Sequence, residues 1–130
     1  MNGTTGFFYD EASNDLYISN NLASTVMRWR VGASSGTIVA GTLGSSGSGA
    51  SQLKGPTGII VDPWKNIYVN DRDNNRVQLY CNGSSTGVTI VGASSGGQSL
   101  GYPYAIQLDS DHNLYVAEYY AARVTKFNKL

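Results

Sequence analysis

Three short blocks, Leu16-Tyr17-Ile18, Ile67-Tyr68-Val69 and Leu114-Tyr115-Val116, recur 51 and then 47 residues apart. A period of that length limits the fold more than any other property of the chain, because each unit must be one supersecondary structure that buries its faces against its neighbours. The same order of runs surrounds every block. Upstream stand Gly6-Phe7-Phe8-Tyr9-Asp10, Gly58-Ile59-Ile60-Val61-Asp62 and Ala105-Ile106-Gln107-Leu108-Asp109. Downstream stand Val26-Met27-Arg28-Trp29, Val77-Gln78-Leu79-Tyr80 and Val124-Thr125-Lys126-Phe127. A fourth run occurs twice, as Thr37-Ile38-Val39-Ala40-Gly41 and Val88-Thr89-Ile90-Val91-Gly92. Each run is short, rich in β-branched and aromatic residues and bounded by Gly, Asn, Asp or Ser, which predicts strands. With strands a, b, c and d in each unit, the chain reads abcd, abcd, abc.

Ile59-Ile60-Val61 and Ile67-Tyr68-Val69 are apolar at consecutive positions. Consecutive strand residues face opposite sides of a sheet, so both faces need cover. No apolar 3.6-residue period persists long enough for a covering helix. Sheet must therefore lie on sheet. Four-stranded antiparallel units of about 50 residues predict β-propeller blades, with a two-sheet sandwich as the alternative architecture. The whole chain, residues 1–130, reads as a single all-β domain, with unit boundaries at about 4–55, 56–102 and 103–130.

The run Pro56-Thr57-Gly58-Ile59-Ile60-Val61-Asp62, then Asn66-Ile67-Tyr68-Val69-Asn70-Asp71, then Asn75-Arg76-Val77-Gln78-Leu79-Tyr80 resembles the NHL repeat. The third unit matches it through Tyr102-Pro103, Asp109, Asn113-Leu114-Tyr115-Val116-Ala117-Glu118 and Arg123-Val124. The first unit is a weaker copy, and the resemblance covers residues 4–127. YVTN-type propellers share the flavour of residues 68–71. WD repeats differ, since no Gly-His or Trp-Asp pair is present. The resemblance implies a six-bladed ring, of which this chain would supply three blades, the last without strand d. Residues 1–5 have no apolar run to donate the missing strand, so residues 124–127 are expected to form an open edge and the outward faces of the first and third units to expose apolar side chains. Two expectations follow: a segment of a longer propeller, or a homodimer of two copies closing one ring head to tail.

Comparison between units suggests roles for charged residues. Asp71 and Arg76 flank the b–c turn of unit two, Glu118 and Arg123 that of unit three, and unit one has Asn20 and Thr25 there. Acid and base vanish together, which predicts that each acid pairs with its own Arg across the hairpin. Asp10, Asp62 and Asp109 recur at the end of strand a. Asp71-x-Asp73-x-Asn75 and Asp109-x-Asp111-x-Asn113 start like calcium loops, but Arg76 and Leu114 replace the glycine, and Asn82 and Tyr120 the closing glutamate. Turn closure by Asp and Asn side chains is the expected role instead. His112, the one histidine, is expected in solvent, and Cys81, the one cysteine, belongs to another unit, so neither zinc-ligand spacing nor a disulfide is implied. The Gly-Ser tracts at 32–36, 41–49, 83–87 and 92–97 precede strands, unlike phosphate-binding loops, which precede helices. Asn2-Gly3-Thr4 and Asn82-Gly83-Ser84 fit the glycosylation pattern.

Nine basic and nine acidic side chains give zero net charge, without the cationic surplus of a nucleic-acid groove or a polybasic membrane patch. The first residues lack the basic and apolar regions of a signal peptide, no run is long enough for a membrane helix, and the compartment stays open. The sequence implies no cofactor, no metal and no catalytic group. The leading expectation is a non-catalytic NHL-type module that binds a protein partner through the b–c tips, with Asn21, Leu22, Arg72, Asp73, Tyr119 and Tyr120 as candidate contacts. The alternatives are single-stranded RNA binding, which the neutral charge opposes, and part of a metal-dependent propeller hydrolase or lyase.

Overall fold

The computed structural model describes residues 3–92 and 100–129; residues 93–97 of the last Gly-Ser tract and Asn2 of the first glycosylation pattern lie outside them. The described residues form three antiparallel sheets. The first holds β1 (Thr4–Asp10), β2 (Asp15–Asn20), β3 (Thr25–Arg30) and β4 (Thr37–Ala40) in sequence order. The second holds β5 (Ile59–Val61), β6 (Ile67–Asp71), β7 (Arg76–Tyr80) and β8 (Val88–Gly92), also in sequence order. The third holds β9 (Pro103–Leu108), β10 (Leu114–Glu118) and β11 (Arg123–Phe127). Among the described residues the helical content is one 3-10 turn, Arg72–Asn74, and no helix is long and apolar enough to cross a membrane.

The repeat is kept down to single residues. Asn20 faces Thr25, Asp71 faces Arg76 and Glu118 faces Arg123 across the b–c hairpins. Asn14, Lys65 and His112 hold the a–b turns with positive φ, as Ser24, Asn75 and Ala122 hold the b–c turns. These left-handed positions cost a non-glycine residue energy, so their recurrence shows that turn geometry is dictated by the hairpin and not by the side chain.

Stacking creates two cores. Between the first and second sheets, Tyr17, Val26 and Ala40 meet Ile59, Val61, Ile67 and Val69 over Leu53. Between the second and third, Val77 and Val91 meet Leu114 and Val116 over Leu100. The middle sheet is thus covered on both faces, which is why its strands are apolar at consecutive positions. The outer faces differ accordingly. Ile59 and Val61 are 5% and 6% exposed, whereas their counterparts Phe7 and Tyr9 in the first sheet are 72% and 46% exposed. Val26 and Val77 are sealed, and Val124 at the same place in the third sheet is 67% exposed.

The first strands β1, β5 and β9 lie side by side. A repeated hydrogen bond joins them: Thr5 Oγ1 donates to the Pro56 carbonyl at 2.8 Å, and Thr57 Oγ1 to the Pro103 carbonyl at 3.2 Å. Ser19 Oγ adds a bond to the Thr57 carbonyl.

Candidate functional site

The three b–c turns, residues 21–24, 72–75 and 119–122, stand at one end of the stacked sheets. They are tight, so the residues inside them project outward: Leu22, Tyr119 and Tyr120 are 75%, 68% and 74% exposed. Arg72 links the turns. Its Nε donates to Asp73 Oδ1 at 2.9 Å, and its guanidinium carbon lies 4.9 Å from the centre of the Tyr102 ring. With the Asn21 amide turned so that its oxygen faces the guanidinium, Asn21 accepts from Arg72 Nη2 at 2.9 Å and Nη1 at 3.2 Å. One side chain therefore joins the first tip, the second tip and the segment leading into β9.

Tyr102 is fixed by backbone bonds. Its N–H donates to Asn75 Oδ1 at 3.2 Å, its carbonyl accepts from the Tyr119 N–H at 3.0 Å, and the Tyr120 N–H donates to the Gly101 carbonyl at 3.2 Å. The three rings then group, with centroids 4.7 Å apart for Tyr102 and Tyr120, 5.4 Å for Tyr119 and Tyr120, and 6.2 Å for Tyr102 and Tyr119. Tyr104 joins them to line a concavity of about 440 Å3. Of the six sequence candidates, five thus lie along one connected surface; Leu22 stands beside Gly3 and is not among the rings. Tyr102 and Tyr104 were missed. Their signal was a departure from the repeat: the corresponding places in unit two are Gly55 and Thr57.

The acid–arginine pairs lie just behind the tips. Arg76 Nε donates to Asp71 Oδ2 at 2.7 Å, and Arg123 Nε to Glu118 Oε2 at 2.7 Å. The first pair is buried on both sides, whereas the Arg123 side chain is 46% exposed. The acids respond in opposite directions. Burial pushes the Asp71 carboxyl upward, outweighing the bonds it accepts from the Lys54 N–H, Asn74 and Arg76. Hydrogen bonds from Arg123 hold Glu118 at about 2, below the usual 4.5, with Thr125 and the Gly101 N–H helping to overcome burial. A carboxyl depressed in the fold stabilises it when charged, so the Glu118 contribution is complete above about 4.5 and is lost as pH falls toward 2. Asp71 has the opposite sign: its proton uptake favours the fold. Asp15, bonded by Arg30, and Asp109, bonded by Asn113, act in the same direction as Glu118. Glu118→Gln should therefore reduce, without abolishing, the loss of stability between pH 4.5 and pH 2 measured by chemical denaturation. An unchanged acid slope would place that dependence in the other carboxylates.

At the opposite end, Asp62 accepts from the N–H groups of Trp64 at 3.1 Å and Asn66 at 2.8 Å. Asp109 accepts likewise from Asp111 at 3.0 Å and Asn113 at 2.9 Å. Both close their own a–b turns. Asp10 instead takes Ser13 Oγ and Lys65 Nζ, the latter reaching across from the second unit. His112, at the place of Lys65, is half-buried with its ring 5.2 Å from that of Trp64 and tilted to it by 51°, so it packs against the neighbouring unit where the sequence suggested open solvent. Two seam cavities follow the repeat. One of about 290 Å3 is lined by Tyr17, Arg28, Lys65 and Cys81, and one of about 480 Å3 by Tyr68, Leu79, His112 and Asn128. Cys81 and His112 thus line different cavities, and no three His, Cys, Asp or Glu among the described residues form a group that would hold a metal ion.

No family model and no curated protein matches the chain. Solved structures do. A structural genomics protein of unknown function from Bacteroides thetaiotaomicron is 18% identical with a TM-score of 0.77, over 92% of this chain and 34% of that one. An auxiliary nutrient binding protein from the same organism is 16% identical with a TM-score of 0.73, over 92% and 36%. A second auxiliary nutrient binding protein, from Bacteroides ovatus, is 18% identical with a TM-score of 0.73, over the same shares. At these identities the likeness is one of fold. The chain spans about a third of the length of these proteins.

Proposed function

We propose that this chain is a non-catalytic recognition module of NHL type, three units of a β-propeller, that binds a protein partner through the b–c end. The observation that carries the reading is the tyrosine and arginine surface formed by Arg72, Tyr102, Tyr104, Tyr119 and Tyr120. Tyr and Arg dominate binding hot spots because they offer large rigid contact area with polar ends, and here Arg72 and the rings of Tyr102, Tyr119 and Tyr120 lie in mutual contact. The propeller reading is supported by three sheets of like order, stacked with their first strands adjacent, and by the greater length of the similar proteins. Under it, the Phe7 and Tyr9 face and the Val124 face are seams for further sheets, supplied by a longer polypeptide or by a second copy closing six blades. A small organic nutrient is a second reading for the same surface, favoured by the description of two of the similar structures. The neutral charge weighs against RNA.

The test compares immobilised wild type with the double variant Tyr119→Ala/Tyr120→Ala. Both rings are mostly exposed, so thermal stability should change little, whereas a partner held by the wild type and re-tested as purified protein should bind at least about tenfold more weakly to the variant. Equal binding by the variant would remove the b–c end from the account.

A further inference from the structure

We infer that the two free faces of the stack are not equivalent: the outer face of the first sheet receives a further sheet of this repeat whose first strand enters on Thr-Gly, and the third sheet of a second copy is not that partner. This rests on the reading of both faces as seams and narrows what covers them; the b–c end has no part in it.

Each internal seam is built from the same three parts. The leading unit gives a threonine hydroxyl, from Thr5 or Thr57, to a carbonyl of the following unit, that of Pro56 or Pro103. The residue after that threonine is glycine, and its missing side chain lets the next first strand approach. A Cβ at Gly6 would press on the Thr57 carbonyl oxygen, and one at Gly58 would lie 2.7 Å from the Tyr104 carbonyl oxygen. Past this contact the following unit turns two apolar side chains into the seam, Ile59 and Val61 or Ile106 and Leu108.

The free faces differ in how much of this set they keep. On the first sheet, which would follow, Thr4 and Thr5 stand at the places of Pro56 and Thr57 and offer the same two carbonyls. Phe7 and Tyr9, at the places of Ile59 and Val61, lie exposed where the internal seams bury their counterparts. The following half is therefore complete. On the third sheet, which would lead, Tyr104 replaces the donating threonine and Ala105 the glycine. Continued with the same geometry, that face would drive the Ala105 Cβ against the Thr5 carbonyl of a second copy and leave the Thr4 carbonyl without its hydroxyl donor. A Cβ and a backbone oxygen cannot turn aside, so the strands of such a pair are held apart. A sheet that carries Thr-Gly meets neither obstacle.

Sedimentation velocity tests both halves. The probe is the variant Tyr104→Thr/Ala105→Gly/Phe7→Lys, whose third sheet carries Thr-Gly and whose own first sheet is blocked by a charge. Wild type alone and the probe alone should sediment as monomers, and their mixture should form a one-to-one complex. Keeping the alanine, as Tyr104→Thr/Phe7→Lys, should weaken that complex at least about tenfold, because the close approach is then lost. Circular dichroism checks that the probe is folded, and Ala105→Gly/Phe7→Lys, with one change fewer in the third sheet, takes its place where it is not. A wild type that dimerises alone and is returned to monomer by Phe7→Lys would overturn the inference and keep the faces as seams closed by a second copy. No complex in the mixture, with wild type monomeric, would overturn it together with the reading of those faces as seams. Partner binding that depends on Tyr119 and Tyr120 is measured separately and stands or falls by its own test.

Discussion

Arg76→Ala should lower the stability of this chain by about 3–5 kcal/mol, enough to move its thermal midpoint down by about 10–20 °C. The size follows from what the guanidinium holds. Besides the Asp71 carboxylate, it donates to the carbonyls of Ser48 at 3.0 Å, Gly49 at 3.1 Å and Gln52 at 2.9 Å, all in the segment that connects the first sheet to the second. Asp71 in turn accepts from the Lys54 N–H at 2.6 Å and Asn74 Nδ2 at 2.7 Å. Removing the arginine leaves a buried acid without its counter-charge and several backbone carbonyls without their donor, losses that add to one another in a low-dielectric site. Asp71→Asn should cost less, because the amide oxygen still accepts from Lys54 and burial already opposes the charge on that carboxyl. Arg123→Ala should cost less than Arg76→Ala, because that guanidinium is 46% exposed and the buried Glu118 carboxylate keeps its bonds from Thr125 Oγ1 and the Gly101 N–H. Chemical denaturation of the three variants and the Asp71→Asn/Arg76→Ala double variant measures the coupling. An Arg76→Ala protein within about 1 kcal/mol of wild type would mean that the connector is held by something else.

The contrast between these pairs shows where sequence reasoning reached and where it stopped. The acid and the base of each hairpin are five residues apart on facing strands, so their pairing is local and could be read from the repeat. That Arg76 is also buried under residues 48–52 depends on a connector with no repeating pattern, and the exposed value of about 0–1 kcal/mol for such a pair does not apply to it. The same division holds elsewhere. Strand positions and the abcd, abcd, abc order were legible because hairpins impose fixed offsets, and the structure shifts only strand ends, adding Thr4 and Thr5 to β1 and leaving Gly58 and Asp62 outside β5. Asp62 and Asp109 closing their own turns were legible for the same reason. His112 against Trp64, and Tyr102 and Tyr104 beside the tips, are contacts between successive units or with a connector; a departure from the repeat marks the two tyrosines, but no offset places them against the tips. Half of the tyrosine group was therefore visible as tip residues, and the half that makes it a concavity was not.

Gly58→Val should both destabilise the chain and dismantle the tyrosine surface. Glycine occupies the same place in β1 and at the entry to β5, where the next unit's first strand comes close. A Cβ at Gly6 would lie 2.4 Å from the Thr57 carbonyl oxygen, and one at Gly58 would lie 2.7 Å from the Tyr104 carbonyl oxygen and 3.1 Å from Ala105 Cα. These are backbone atoms, which cannot turn aside, so the strands would have to separate and the threonine bonds between them lengthen. Alanine at either place should cost about 1–3 kcal/mol and valine more, whereas alanine for glycine in an unobstructed strand is favourable by about 0.5–1 kcal/mol. The third unit supplies the control. Its residue at this position, Ala105, is exposed, so Ala105→Gly should lower stability by only that smaller amount. The sign of the alanine effect thus reverses between the closely approached positions and the open one. Because the obstructing oxygen belongs to Tyr104, displacement of β9 also shifts one wall of the concavity. Gly58→Val should therefore weaken the binding proposed for the b–c end while circular dichroism still reports β-sheet, and Gly6→Val, one seam away from that wall, should lose stability with little loss of that binding. Stability and binding that both stay at wild-type level in Gly58→Val would show that the first strands are not packed through these glycines, and the stacking of the three units would have to be rebuilt on other contacts.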